Sequence, residues 1–193
     1  MSSGRPLGQA QPFTKEMATA LRRILAQRED YRALTLFNVH IDTALRASDV
    51  LKLRVPDVAS GAFYTRQKKT GRVVKCELSS RSKSALKCYL PALLDRSGYL
   101  FPSPRTGGHL TTHWYQRLVK DWEAELRWSG VKLPPGYLST HSMRRTKVTH
   151  LTRMGVSARA CQLILDHASL ASTEKYLNLD VQEALDIAAQ HPF

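Results

Sequence analysis

THSMRRTKVTHLTRM, residues Thr140–Met154, combines a helical apolar period with charged side chains inside it. At 100° per residue, Met143, Val148, Leu151 and Met154 share one arc of a helix, Arg144 falls inside that arc, and His141 lies at its edge. A guanidinium on an apolar face needs a partner, because an unpaired buried charge is prohibitively costly. Two partners fit. One is a carboxylate within the protein. The other is an external anion held by Arg144 and His141 together, and the planar fork of an arginine matches two phosphate oxygens. Gly155 ends this helix, and Ser157 is placed to cap the next one, which carries Ala160, Leu163 and Ile164.

Working back toward the N-terminus, the loop Leu133-Pro134-Pro135-Gly136 precedes that helix, and Trp114, Leu118 and Trp122 form a helical stripe before the loop. A further stripe is Leu86, Leu90, Leu93 and Leu94. Residues 62–78 change character: AFYTRQ and RVVKCEL are short, aromatic and β-branched, and are separated by Lys-Lys-Thr-Gly. This predicts a β-hairpin with Gly71 in the turn and Lys69 at the tip. Met17, Leu21, Ile24 and Leu25 predict a first helix capped by Thr14, and Leu34, Phe37, Ile41, Ala44 and Leu45 a second. Arg46 falls at the break after that second helix, with Asp49 three residues on and able to hold its guanidinium. Residues 1–13 are rich in Ser, Gly, Pro and Gln and read as a flexible leader. The rest, 14–193, reads as one mainly helical domain with a small antiparallel sheet, an α+β arrangement without an internal repeat.

Charge narrows the function. The 193 residues hold 29 Lys and Arg against 16 Asp and Glu, a net charge of +13. Such an excess disfavours ordinary small-molecule metabolism and favours a polyanionic partner, most simply nucleic acid. No apolar run approaches the roughly 20 residues of a membrane span, and the first residues lack the apolar core of a secretory signal. Cys76, Cys88 and Cys161 are odd in number and widely spaced, so neither a disulfide framework nor a zinc knuckle is indicated. A cytoplasmic, reducing location is expected.

Near the C-terminus, ILDHASLASTEKYLN (164–178) places His167 after a helix end and Tyr176 nine residues later. Taken singly, Arg46, Lys69, His141 with Arg144, and His167 with Tyr176 each fit a structural role. In this order they resemble the catalytic domain of the tyrosine recombinase, or phage integrase, family. The family pattern is G-L-R-x-S-E-L-L-x-L, a lysine in K-T-G on a β-hairpin, H-x-x-R, L-G-H, and a tyrosine about nine residues later. The matching stretches are ALRASDVLKL, KKTGRVV, HSMR, LDH and STEKY, spread over nearly the whole chain. The chain departs from the pattern at Asp166, where the family carries Gly, and at Arg145-Thr146, where it carries His-Thr.

The resemblance implies a fold and a chemistry. Arg46, Lys69, His141, Arg144 and His167 are the implied catalytic set, Tyr176 the nucleophile, and Asp49 the acidic support of the first arginine. Tyr176 would attack a DNA phosphodiester, leaving a 3′-phosphotyrosyl link and a free 5′-hydroxyl that a second strand reverses. Covalent catalysis conserves the ester energy, so neither ATP nor a metal or other cofactor is expected. The expected partner is double-stranded DNA, bound by a transient homotetramer on paired sites, with no membrane and no small-molecule substrate. No separate N-terminal helical domain is expected before residue 14. The same residue set is compatible with a type IB topoisomerase-like relaxing enzyme or a non-catalytic, integrase-derived DNA-binding regulator.

Overall fold

A computed structural model describes residues 10–165. Its first helix, α1 (Lys15–Gln27), begins where Thr14 Oγ1 accepts the Met17 amide at 3.1 Å. Met17, Leu21 and Leu25, spaced by four, turn inward. Asp30 then caps α2 (Tyr31–Thr43) by accepting the Ala33 amide at 2.9 Å. Leu36, Phe37, Val39 and even His40 are wholly buried, an all-round burial that marks α2 as the central helix.

Two short helices follow, α3 (Ala47–Val50) and α4 (Val55–Val58), and then the hairpin of β1 (Ala62–Arg66) and β2 (Val73–Glu77). The strands are antiparallel, with Ala62 opposite Glu77 and Arg66 opposite Val73. Phe63 and Cys76 form the cross-strand pair that faces the core, while Tyr64 and Val73 face solvent. Gly71 has φ 67°, the left-handed backbone that lets so short a turn close.

Helix α5 (Ser80–Tyr89) is fastened to α2 through Asp42 Oδ2, which accepts from the amide and hydroxyl of Ser79 at 2.8 and 2.7 Å and from the Ser82 hydroxyl at 2.5 Å. Helices α6 (Thr112–Trp128), α7 (Thr140–Arg153) and α8 (Ala158–Leu165) complete the described chain. α2 packs against α1, α5, α7 and β2, so one helix carries the contacts that relate the hairpin to α7. This is the mainly α arrangement with a two-stranded sheet that the sequence predicts.

Three expectations are corrected. The stripe through Leu90, Leu93 and Leu94 is not helical throughout: Pro91 cannot continue an α-helix, so α5 stops at Tyr89, a 3-10 turn spans Leu90–Ala92, and Leu94 is fully exposed. On α6 the buried stripe is Tyr115, Val119, Trp122 and Leu126, one residue out of step with Trp114 and Leu118. Trp114 is exposed, with the Arg32 guanidinium 4.9 Å over its ring. Lastly, the packed chain begins before Thr14. Phe13 is buried edge-on against Phe37 at 5.0 Å between ring centroids, and its amide donates to Thr146 Oγ1 at 2.8 Å. Gln11 is bonded through its amide to the Tyr137 carbonyl at 3.0 Å, so residues 11–13 are held rather than forming the end of a flexible leader.

Candidate active site

The site forms where α2 ends. Ala44 adopts left-handed backbone, φ 48° and ψ 23°, and the chain re-enters helix at Ala47 with Arg46 as the residue that precedes α3. An alanine in that conformation costs about 1–2 kcal/mol. Three contacts oppose the cost. The Ala44 side chain is buried with Val148 and Cys161. Its carbonyl accepts from Arg144 Nη1 at 2.5 Å. The next carbonyl, of Leu45, accepts from His40 Nε2 at 3.0 Å.

His40 is itself fixed from below. Nε2 faces a carbonyl and must carry the proton, so Nδ1 accepts from the Tyr115 hydroxyl, 2.7 Å away. Burial pushes the His40 pKa down to about 3, with Arg144 and His141 adding to the shift and the Leu45 bond opposing it. Burial likewise raises the Tyr115 phenol well above its ordinary value. The pair is therefore neutral, and it braces the turn that aims Arg46.

Arg46 reaches across to the hairpin, where Nη1 donates to Gln67 Oε1. Gln67 closes the lysine turn with its backbone: its amide donates to Arg72 O at 2.9 Å and its carbonyl accepts the Gly71 amide at 2.8 Å. Asp49 is buried on α3, and its Oδ1 accepts the Lys68 amide at 3.2 Å. The expected Asp49–Arg46 contact is thus replaced by two others. Lys68 lies past the end of β1, outside the strand ladder, and the carboxylate takes its amide. The amide side chain of Gln67 takes the guanidinium.

On α7, Ser139 Oγ accepts the His141 amide at 3.1 Å and Ser142 Oγ accepts the Ser139 amide at 3.0 Å, a reciprocal cap. Gln116 Oε1 of α6 accepts the Thr140 amide at 3.3 Å. These contacts set the start of α7 and place His141 and Arg144, three residues apart, on one face. Both side chains meet Arg46 in a small open cleft, also lined by His40, Leu45, Ala47 and Thr140. His141 stands at the solvent-facing rim. Partial desolvation lowers its pKa, and the positive charges of Arg144, Arg145 and Arg46 lower it further. A neutral imidazole beside two inward-facing guanidiniums can accept a proton next to a bound anion.

The structure therefore brings Arg46, His141 and Arg144 together. Lys69 is exposed in the turn whose base is tied to Arg46 through Gln67. His167, Tyr176 and Asp166 lie outside the described residues. Sequence reasoning passed over His40 and Gln67 and noted the buried Arg145 only as a departure from the family pattern. Gln67, two residues before the lysine of the turn, is the one that local sequence could have flagged. Among the described residues no group of three or more His, Cys, Asp or Glu is placed to hold a metal ion, the three cysteines are free thiols, and no helix is long and apolar enough to cross a membrane.

Comparison with known proteins decides the lineage. The sequence pattern of the phage integrase family matches residues 11–183. The chain belongs to the phage integrase family. Relatives within it include the tyrosine recombinase XerC of Erythrobacter litoralis, 28% identical over 163 residues, covering 83% of this chain and 51% of that protein. Another is the tyrosine recombinase XerD of Caulobacter vibrioides, 28% identical over 202 residues, 98% of this chain and 64% of that protein. The integrase fold is shared with the crystal structure of XerA recombinase, at a TM-score of 0.77, 23% identity, 100% of this chain and 67% of that one. It is shared too with XerH site-specific recombinase bound to a palindromic difH substrate, at a TM-score of 0.72, 20% identity, 94% of this chain and 53% of that one. This integrase-family chain spans about half the length of several of the recombinases it matches.

Proposed function

We propose that the chain carries the catalytic domain of a site-specific DNA recombinase, which cuts and rejoins strands through a 3′-phosphotyrosyl intermediate. One observation carries this reading: two arginines and a histidine from distant segments line a single cleft in a phage integrase fold. In this reading Tyr176 Oη attacks phosphorus while His141, neutral in the free protein, takes its proton. Arg46, Arg144 and His167 donate to the non-bridging oxygens, where the transition state gathers charge. Lys69 gives a proton to the departing 5′-oxygen, and attack by another strand's 5′-hydroxyl reverses each transfer. The ester energy stays in the phosphotyrosine, so the step balances without ATP, metal or other cofactor.

The proposed substrate is duplex DNA, in keeping with the net charge of +13 and with relatives whose structures hold DNA, among them XerH on difH and a transposon integrase on a circular intermediate. Four copies of the chain acting on two paired sites, in the cytoplasm, complete the proposal. The test is adduct trapping on a randomised duplex library with a nick in one strand, followed by sequencing of the captured strands. A denaturant-resistant protein–DNA adduct is expected from the natural chain and not from Tyr176→Phe. An adduct that survives the substitution removes Tyr176 as nucleophile. Relaxation of any supercoiled plasmid at low enzyme ratio would instead assign a topoisomerase.

A further inference from the structure

We propose that Gln67 is a positioning residue that joins Arg46 to the Lys69 turn as one preorganised unit, and that its acceptor must be uncharged. The inference rests on the recombinase reading above, and it concerns a residue that reading leaves without a role.

Gln67 is 1% exposed, so it is screened from any DNA and acts only through what it touches. Its side chain accepts from Arg46 Nη1. Its backbone makes the two hydrogen bonds, to Arg72 and Gly71, that close the turn carrying Lys69. The neighbouring Lys68 amide is held by Asp49, one helical turn after Arg46. Guanidinium and lysine turn are thus fastened at two adjacent points, and neither can shift without disturbing the other. A group aimed in advance at developing charge stabilises a transition state without reorganising at the moment of reaction.

The chemistry of the acceptor matters as much as its place. A guanidinium has five N–H donors, and an amide oxygen occupies one of them while adding no negative charge. Arg46 is then held still and keeps its full charge for a phosphate. A glutamate in the same place would make the same contact and offset that charge. Position and electrostatics therefore separate cleanly in two substitutions.

The test uses the duplex recovered by adduct trapping, with single-turnover adduct formation, DNA affinity and melting temperature measured for each variant. Gln67→Ala is expected to slow adduct formation on the order of tenfold to a hundredfold, the scale of a misplaced catalytic group, with DNA affinity held to within about twofold. Gln67→Glu is expected to melt no lower than the natural chain and yet to be slow, which a purely structural role does not produce. On an Arg46→Ala background, Gln67→Ala is expected to add no further loss, since it acts through the missing group. Adduct formation by Gln67→Glu at the natural rate, or additive losses in the double variant, overturns the proposal. Should Gln67→Ala not fold, Gln67→Glu alone decides. If the natural chain forms no adduct, the recombinase reading fails. The coupling is then judged by hydrogen exchange without DNA: the amides of residues 68–70 are expected to exchange faster in both Gln67→Ala and Arg46→Ala, and unchanged exchange overturns it.

Discussion

The Tyr115 hydroxyl stands 2.7 Å from His40 Nδ1 and supplies the one donor that this buried nitrogen needs. The Leu45 carbonyl, one residue before Arg46, can only accept, so the N–H is on Nε2 and Nδ1 is left as an acceptor. Removing the hydroxyl leaves a buried nitrogen without a donor, a loss of about 1–3 kcal/mol. Tyr115→Phe is expected to lower the urea midpoint accordingly while retaining the fold. A midpoint unchanged within error would mean that the contact contributes nothing to the turn.

The same histidine makes stability depend on pH. Its pKa is about 3 in the folded chain against an ordinary 6.5. Below 6.5 the unfolded chain binds a proton that the folded chain refuses, so unfolding gains from acid. The contribution is complete above about pH 6.5 and is lost progressively as pH falls toward 3, at up to about 1.4 kcal/mol per pH unit. Urea midpoints at several pH values should therefore fall less steeply on acidification for His40→Asn than for the natural chain. Parallel slopes would assign the acid sensitivity elsewhere.

Asp49 gives a prediction that separates the two supports of the hairpin. Asp49→Ala strips the Lys68 amide of its acceptor and leaves Gln67 on Arg46. A lost hydrogen bond of this kind is worth about 1 kcal/mol. The expected result is faster hydrogen exchange at Lys68 with a small drop in the urea midpoint. If Lys68 exchange stays at the natural rate, the carboxylate is not what restrains the turn.

Much of this was legible in the sequence, because the signals are local. The Thr14 cap, the hairpin punctuated at Gly71, and the burial of Arg144 beside Met143 and Val148 all follow from spacing, whereas Met154, placed on the same arc, is exposed. The parts that escaped are those that depend on distant partners. His40 is a lone histidine in an apolar helix until Tyr115, 75 residues away, satisfies its second ring nitrogen. Asp49 looked like Arg46's partner because they are close in sequence, yet the hairpin supplies nearer groups to both. Phe13 read as the end of a leader because the composition around it is that of a tail, and only Phe37 and Thr146 show it to be anchored.

Arg144 combines two duties that a substitution will not separate unless charge and geometry are varied in turn. It holds the Ala44 carbonyl and lines the cleft. Arg144→Lys keeps the charge but loses the planar fork. Loss of a transition-state donor costs about 10²–10³ in rate. Arg144→Lys is expected to fold and bind DNA with the natural salt dependence, while adduct formation falls by that factor. Adduct formation within about twofold of the natural rate would show that a point charge suffices.

Ala44 settles how much strain the site turn stores. The family pattern has glycine here, and relieving left-handed alanine should return about 1–2 kcal/mol. Against this stand the loss of a buried methyl, about 0.8 kcal/mol, and the added freedom of glycine in the unfolded chain, about 0.5–1 kcal/mol. The terms nearly cancel, so Ala44→Gly is expected to stay within about 1 kcal/mol of the natural chain by chemical denaturation. Ala44→Val has no such balance, because a β-branched residue is a true outlier at positive φ. It is expected to lose clearly more stability than the glycine variant and, by displacing the Leu45 carbonyl, to slow adduct formation too. A valine variant as stable and as fast as the natural chain would mean that the turn is not where Arg46 is aimed.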